Sequence, residues 1–300
     1  MKNLNTKERT IEIHRLTISG LPQGLSYGVF LENIGKRFPA FVDREWKGSG
    51  KSHAMKAISF KNGFLWMQYY SYIQGYRPDV IDTQSHNISP SPYSQTQAGV
   101  EYTHVLGATV GKRYLLLVEK VQAGIWPETL EGYLQWMIDK YLESEGSSEK
   151  ITLSIEADPS EEFISRMETL DRITRVTIRT VRPNPGWADL ETELARESED
   201  SDAHKTEVTM VARKNKTLSK TKGIVVDIQS LFKNGLLSFA QIEGWKGNNR
   251  DHFSTKKLNK KQKVKIEADE DGKIKEESLL EKMTEIMKLQ NRSIRSEEHQ

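Results

Sequence analysis

Segments with strand-like patterns follow one another in the first half of the chain without helices between most of them. Strands are predicted over residues 10–19, 64–73 and 113–121, which are rich in β-branched and aromatic residues. Residues 114–118 are continuously apolar, which predicts a central strand covered on both faces. A doubly wound parallel sheet needs strands that alternate with helices, so this order excludes it. The sequence therefore predicts an α+β fold with mixed or antiparallel sheets flanked by helices, in two lobes.

Local signals predict the other elements. Asn62-Gly63 is typical of a type I′ turn, and Pro127 is typical of the first residue of a helix. Short strands are predicted over residues 41–47 and 55–60, on either side of a Gly/Ser loop. In the second half the pattern predicts four helices, over residues 159–170 (capped by Asp158), 187–198, 224–233 and 278–289. It also predicts strands over residues 151–156, 173–181, 206–213, 239–246, 252–255 and 264–268.

The length of 300 residues is too great for one small core and is typical of one large domain or two modest ones. A polar linker near residues 144–148 predicts the main boundary. We expect an N-terminal α+β domain over residues 1–146, a C-terminal α/β lobe over 147–276, and an amphipathic helix with a charged tail over 277–300.

Composition excludes several classes of protein. The chain has no cysteine, which excludes disulfides, thiolate zinc sites, iron–sulfur clusters and a cysteine nucleophile. It has no apolar run long enough for a transmembrane helix, and its first residues lack the apolar core of a secretory signal. We expect a cytoplasmic protein without membrane insertion.

The net charge of +2 hides an uneven distribution. Residues 1–150 contain 17 Lys/Arg and 15 Asp/Glu, whereas residues 151–203 contain 6 and 13. Residues 204–266 contain 15 Lys/Arg and only 4 Asp/Glu, and residues 267–300 contain 6 and 10. A basic stretch between two acidic ones indicates a surface that faces a polyanion.

Lysine dominates this basic segment, residues 204–266. Lysine contacts phosphate as a point charge and reads no base edges, so the composition favours nucleic-acid binding with weak sequence specificity and strong salt dependence. The competing interpretation is that these lysines pair with the acidic residues 151–203 of the same molecule. The residues predicted to bind nucleic acid are Lys214, Lys216, Lys220, Lys222, Lys246, Arg250, Lys256, Lys257, Lys260 and Lys261.

Catalytic motifs are weak. The string Gly48-Ser49-Gly50-Lys51-Ser52 resembles part of a P-loop, but Glu45 stands where the first glycine is required, and a flexible hairpin loop is favoured. Asp43-x-Glu45-x-Lys47 resembles the acid-acid-lysine group of metal-dependent nucleases, although an upstream acidic partner is missing apart from Glu32. The seven histidines are scattered. We predict no catalytic residue, no metal site and no cofactor.

Six aromatic residues crowd residues 64–76. Aromatic side chains on a strand can stack on unpaired bases. The lysines and glycines that accompany such motifs are absent here, so the pattern favours core packing on one face and a dimer or inter-domain contact on the other.

Several segments follow one another in a recognisable order. The first half contains the helix VFLENIGKRF, the aromatic strand GFLWMQYYSYI and the segment GKRYLLLVEKVQAGIWPETLEGYLQWMI, and the second half contains ITRVTIRTV, EVTMVARK and the basic stretch. This order resembles that of the Rex-type phage-exclusion proteins. It is a resemblance of pattern over most of the chain, without a motif that transfers residue by residue. It implies a homodimer that binds duplex DNA.

These observations lead to one main hypothesis and two alternatives. The main hypothesis is a non-enzymatic, weakly sequence-specific double-stranded DNA-binding protein of an antiphage or phage-exclusion system, acting as a homodimer that an effector protein can join. The first alternative is a metal-dependent nuclease that uses Asp43, Glu45 and Lys47. The second is a protein–protein adaptor or inhibitor whose charged lobes recognise a partner.

Overall fold

A computed structural model describes residues 5–48, 50–181, 205–233, 237 and 239–297. The predicted helix over residues 187–198 lies outside this description. The remaining elements, in chain order, are β1 (Thr6–Ser19), α1 (Tyr27–Arg37), α2 (Phe41–Arg44), β2 (Glu45–Lys47), β3 (Ser52–Lys61), β4 (Phe64–Tyr72), β5 (Val80–Ile81), β6 (Ile88–Ser89), β7 (Glu101–Val110), β8 (Arg113–Glu119), α3 (Pro127–Ser144), β9 (Thr152–Ala157), α4 (Glu161–Glu168), β10 (Arg172–Val181), β11 (Lys205–Val211), α5 (Ile224–Lys233), β12 (Phe239–Lys246), β13 (Asn249–Ser254), β14 (Lys261–Glu267) and α6 (Glu276–Glu297).

The chain divides into two compact units. The first comprises Met1–Ile11, Leu21–Ile151 and Lys263–Gln300, and the second comprises Glu12–Gly20 and Thr152–Gln262. Antiparallel sheets and helices are present in the described residues, so the predicted α+β class is confirmed.

The first unit contains a sheet with the strand order β14-β1-β8-β7-β4-β3-β2. Strand β8 lies between β1 and β7, and its residues from Tyr114 to Val118 are all buried, as the apolar run predicts. The turn between β3 and β4 has positive φ at both Asn62 and Gly63, as a type I′ turn requires. Pro127 is the first residue of α3, where its missing N–H leaves no bond unmade.

Residues 41–47 do not form the continuous strand that the sequence predicts. Residues 41–44 form the helical turn α2, and only Glu45–Lys47 pair with β3. The Arg44 guanidinium group donates hydrogen bonds to the carbonyl oxygens of Phe38 and Gly35, at the end of α1. These bonds satisfy helix-terminal carbonyl groups and explain why the chain turns there before it extends.

The second unit contains a four-stranded antiparallel sheet with the order β11-β10-β12-β13. Helices α4 and α5 contribute side chains to its buried core, together with the alternating side chains of β10 and β12. Residues 14–19 of β1 pair with β9 in the same unit. Because alternate residues of a strand face opposite ways, the remaining side chains of β10 and β12 lie on the sheet face away from this core.

Helix α4 begins later than the sequence predicts. Its N-cap residue is Ser160, and the predicted cap Asp158 bonds instead to Arg15 and Lys260. Pro159 forms an isolated antiparallel bridge with Asn259, which fixes the chain in an extended conformation before the helix.

Candidate nucleic-acid interface

The loop between β11 and α5, residues 212–223, carries four of the predicted lysines and is fixed to the start of β10. The Leu218 N–H donates to the carbonyl oxygen of Ile173 at 2.9 Å. The Thr217 hydroxyl accepts a hydrogen bond from the Ile173 N–H at 3.0 Å. The loop is therefore held at the end of the sheet where β10 begins.

The first part of this loop is a tight turn. The Lys216 N–H donates to the Arg213 carbonyl at 2.9 Å, and Asn215 has a φ of +59°. Asparagine tolerates this left-handed conformation better than most residues. Lys214 and Lys216 flank Asn215, and both are exposed.

Lys220 and Lys222 lie in the second part of the loop and are both exposed. The Lys220 ammonium group donates to the carbonyl oxygens of Glu168, at 3.1 Å, and of Leu170. These carbonyls lie at the C-terminal end of α4, where a cation interacts favourably with the helix dipole. Lys220 therefore secures the loop to the helix.

Lys246 and Arg250 lie on either side of the turn between β12 and β13. The Gly247 N–H of this turn donates to the Asp171 carboxylate at 2.6 Å, next to the start of β10. The Arg250 guanidinium group donates to Glu243 at 2.8 Å. The turn and the lysine loop are thus attached to the same end of the sheet.

The antiparallel register brings further cations to this end. Arg175 pairs with Val211 of β11, Arg172 pairs with Trp245 of β12, and Trp245 pairs with Arg250 of β13. We name this group the basic sheet end. Its members are Arg172, Arg175, Lys214, Lys216, Lys220, Lys222, Lys246 and Arg250.

The sequence interpretation missed Arg172 and Arg175, because it counted them within the acidic residues 151–203. The strand alternation of β10 could have found Arg175, whereas the bulge after Ile173 hides Arg172 from that pattern. Val176 and Ile178 face the core, so the alternate position Arg175 must face away from it.

Lys256, Lys257, Lys260 and Lys261 lie at the opposite end of the sheet. Strand β13 runs from Asn249, which pairs with Lys246, to Ser254, which pairs with Gln241. These ends are separated by about 17 Å at the usual rise of a strand. The ten predicted residues therefore form two groups, and we name the second group the turn lysines.

Two acidic residues of the second unit, Asp158 and Asp251, form ion pairs near the predicted cations. Lys260 forms an ion pair with the buried Asp158 at 2.9 Å, so one turn lysine pairs with the acidic segment as the competing interpretation predicts. Asp251, an acidic residue within the basic segment, accepts two hydrogen bonds from Arg166, at 2.9 and 2.6 Å. The hydrogen bonds from Arg166 lower the pKa of Asp251, so this carboxylate is ionised and already compensated by an arginine.

The acidic residues proposed for the nuclease alternative form hydrogen bonds with other parts of the first unit. Asp43 lies on α2 and accepts a hydrogen bond from the Lys140 ammonium group at 3.5 Å. Glu45 lies on β2 and accepts a hydrogen bond from the Tyr72 hydroxyl at 2.6 Å. Burial, with a smaller contribution from this hydrogen bond, raises the pKa of Tyr72 to about 12. Lys47 is exposed at the end of β2. Within the residues that the structure describes, no group of three or more His, Asp or Glu side chains is placed to hold a metal ion.

The described residues of the P-loop-like string are Gly48, Gly50 and Lys51, which lie between β2 and β3, and Ser52, which begins β3. The Gly48 N–H donates to the Lys51 carbonyl at 3.0 Å, and the Lys51 ammonium group donates to the Ala123 carbonyl. The residues that follow extend as β3, whereas a P-loop requires a helix there.

The aromatic strand β4 has two different faces. Leu65, Met67 and Tyr69 are buried, and burial raises the pKa of Tyr69 well above its usual range. On the other face, Trp66 stacks on His104 with 5.3 Å between ring centroids, and its indole N–H donates to Glu276 at 3.3 Å. Core packing on one face is thus confirmed. Trp66 is committed to contacts within its own unit.

The described residues define an α+β protein with an exposed basic surface on an antiparallel sheet. They contain no helix that is long and apolar enough to cross a bilayer. The family model of DUF4747, a domain of unknown function, matches residues 115–285. The chain therefore belongs to the DUF4747 family. No curated protein matches it. Neither comparison bears on the resemblance to phage-exclusion proteins, which stays a prediction.

Proposed function

We propose that the protein binds double-stranded DNA through the basic sheet end, without catalysing a reaction on it. The observation that carries this proposal is the convergence of eight cations on one end of the four-stranded sheet. They come from three elements that are far apart in sequence: the start of β10, the loop 212–223 and the β12–β13 turn. A duplex presents a dense array of phosphate charges that suits such a surface.

The chemistry of these residues supports weak sequence specificity. Lys214 and Lys216 lie in a loop, and Lys222 and Lys246 are also exposed lysines. An ammonium group makes a point contact with phosphate, whereas the bidentate reading of guanine in the major groove is typical of arginine. Binding is expected to depend on salt far more than on DNA sequence.

The proposal is tested by two matched double variants of the full chain. In Lys214→Ala/Lys216→Ala, we expect weaker binding to every duplex sequence and a salt dependence reduced by roughly two in the slope of log K against log salt. The control Lys257→Ala/Lys261→Ala removes the same charge from exposed turn lysines at the other end of the sheet. It should retain most of the affinity. Equal loss in both variants, or no loss in the first, would overturn the assignment to the basic sheet end.

The biological setting rests on the resemblance to phage-exclusion proteins. As part of the same proposal, the protein acts in the cytoplasm as a homodimer in antiphage defence, where an effector protein can join it. Expression of the parent protein should lower phage plating efficiency, and Lys214→Ala/Lys216→Ala should restore it. Equal protection by both proteins would separate any defence role from DNA binding.

A further inference from the structure

The sheet face away from the core of the second unit carries an aromatic residue among the cations of the basic sheet end. On β12, Ile242 faces the core, and Gly244 packs closely against Leu170 of the same core. Because side chains alternate along a strand, Trp245 lies on the opposite face. Its cross-strand partners are Arg172 on one side and Arg250 on the other. A planar indole is thus flanked by two guanidinium groups.

The end of this face that adjoins the lysine loop is accessible. The side chains of Arg175 and Arg250 are 48% and 66% exposed, and Trp245 is partly exposed. Thr177 and Phe239, farther along the same face, are each only 7% exposed. On β10 and β12 the accessible part of the face therefore adjoins the lysine loop.

Contacts within the face hold its planar groups in place. The Arg172 guanidinium carbon lies 5.5 Å from the centre of a Trp245 ring, within the range of a cation–π interaction. Glu243 accepts a hydrogen bond from Arg250 at 2.8 Å and lies 3.6 Å from Arg175. One carboxylate thus anchors both arginines beside the indole and leaves the face with a net positive charge.

This combination of groups suits an unpaired nucleotide. Indole rings and arginine guanidinium planes stack on bases, and cations beside them contact the adjoining phosphates. In a continuous duplex the faces of the bases are occupied by their neighbours, so only an unpaired base can reach Trp245. The lysine loop can hold duplex phosphates at the same end of the sheet.

We propose that the basic sheet end recognises DNA in which a single-stranded segment adjoins a duplex, with an unpaired base stacked on Trp245 and Arg172. Arg175 and Arg250 contact the phosphates of the unpaired segment. This inference rests on the proposed function and specifies the form of DNA that the same site prefers.

The experiment compares two probes with the full chain at one salt concentration: a blunt duplex and the same duplex with a single-stranded extension. The parent protein should bind the extended probe about tenfold more tightly, as expected for stacking of a base on an aromatic side chain. Trp245→Ala should abolish this preference and leave the affinity for the blunt duplex unchanged. Trp245→Phe should retain most of it, which guards against an effect of misfolding in the alanine variant. Trp126→Ala, which removes a tryptophan that is 49% exposed in the first unit, is the matched control and should behave as the parent.

The outcomes distinguish this inference from the proposed function on which it rests. Equal affinity of the parent for both probes, or a preference that survives in Trp245→Ala, would overturn this inference while leaving salt-dependent duplex binding in place. Failure of both probes to bind even at low salt would overturn the proposed function itself.

Discussion

At the scale of single residues, Asp158 is the acidic group on which two cations of the second unit converge. Its side chain is 5% exposed, and its carboxylate lies 3.5 Å from Arg15 and 2.9 Å from Lys260. Removing the carboxylate takes this partner from the largely buried Arg15, and breaking a buried pair in this way is strongly destabilising.

We therefore expect Asp158→Ala to lower the free energy of unfolding by about 3 kcal/mol, measured by urea denaturation. The control is Glu207→Ala, which removes a half-exposed carboxylate from its ion pair with Arg179. An exposed pair contributes less than about 1 kcal/mol, so this variant should differ little from the parent. Similar losses in both variants would contradict the role of Asp158.

His53 is a buried histidine whose protonation opposes folding. Its Nδ1 lies 2.8 Å from the Ser71 hydroxyl. Burial, with a smaller contribution from the charge of Lys51, lowers the pKa of His53 to about 4. The unfolded chain binds this proton near pH 6.5, whereas the folded chain resists it, so stability is lost as the pH falls from about 6.5 towards 4.

We expect the parent protein to lose more stability than His53→Asn when the urea midpoint is compared at about pH 7 and about pH 5. Asparagine does not titrate, so the difference between the two proteins isolates His53 from other groups. The same loss in both proteins would show that His53 does not gain a proton on unfolding.

At the scale of elements, helix α1 lies so close to β3 that two of its positions require glycine. A Cβ atom at Gly28 would overlap the ring of Phe60, and one at Gly35 would overlap Ile58. Gly132 in α3 differs, since its added Cβ would lie 3.4 Å from the Trp46 ring, an ordinary contact.

We expect Gly35→Ala to destabilise the protein by about 1–2 kcal/mol, because overpacking outweighs the gain in helix propensity. Gly132→Ala should be neutral or stabilising by up to about 1 kcal/mol. Thermal unfolding of the two variants measures the difference. A stabilised Gly35→Ala variant would show that α1 can move away from β3 at little cost.

The elements that local chemistry determines were predictable from the sequence. Helix α5 spans the predicted residues 224–233, and the Asn62-Gly63 turn has the predicted backbone conformation. The failures came from contacts distant in sequence: Asp158 is drawn away from the helix start by Lys260. In β10, a bulge after Ile173 changes which residues face the core, and alternation alone does not reveal a bulge.

At the scale of the whole molecule, the sequence identified the basic segment but not its arrangement. In the sequence, strand β13 lies between the lysines of the loop 212–223 and the turn lysines. The two sets of lysines lie at opposite ends of this strand and therefore at opposite ends of the sheet. Arg172 and Arg175 join the first group through strand pairing, although some 40 residues separate them from the lysine loop. Closeness in sequence therefore suggested one surface for lysines that lie at opposite ends of the sheet. It also concealed that Arg172 and Arg175 lie beside the lysine loop, because the sheet register decides which charges meet.

Strand pairing also explains why the first unit is discontinuous along the chain. Residues 263–300 group with residues 21–151 in the first unit, although residues 152–262 intervene. Composition changes mark linkers, but they do not record which later segment returns to an earlier sheet. Strand β14 does so by pairing with β1, a long-range pairing that the alternation of its residues does not specify.

The most direct test of duplex-DNA binding by the basic sheet end is a titration of the full chain with duplex DNA over a range of salt concentrations. With four phosphates contacted by Lys214, Lys216, Lys222 and Lys246, log K should fall against log salt with a slope of about −3 to −4. The DNA should remain intact in the presence of magnesium. Absence of binding at low salt, or an affinity that salt does not change, would contradict binding of duplex DNA by the basic sheet end.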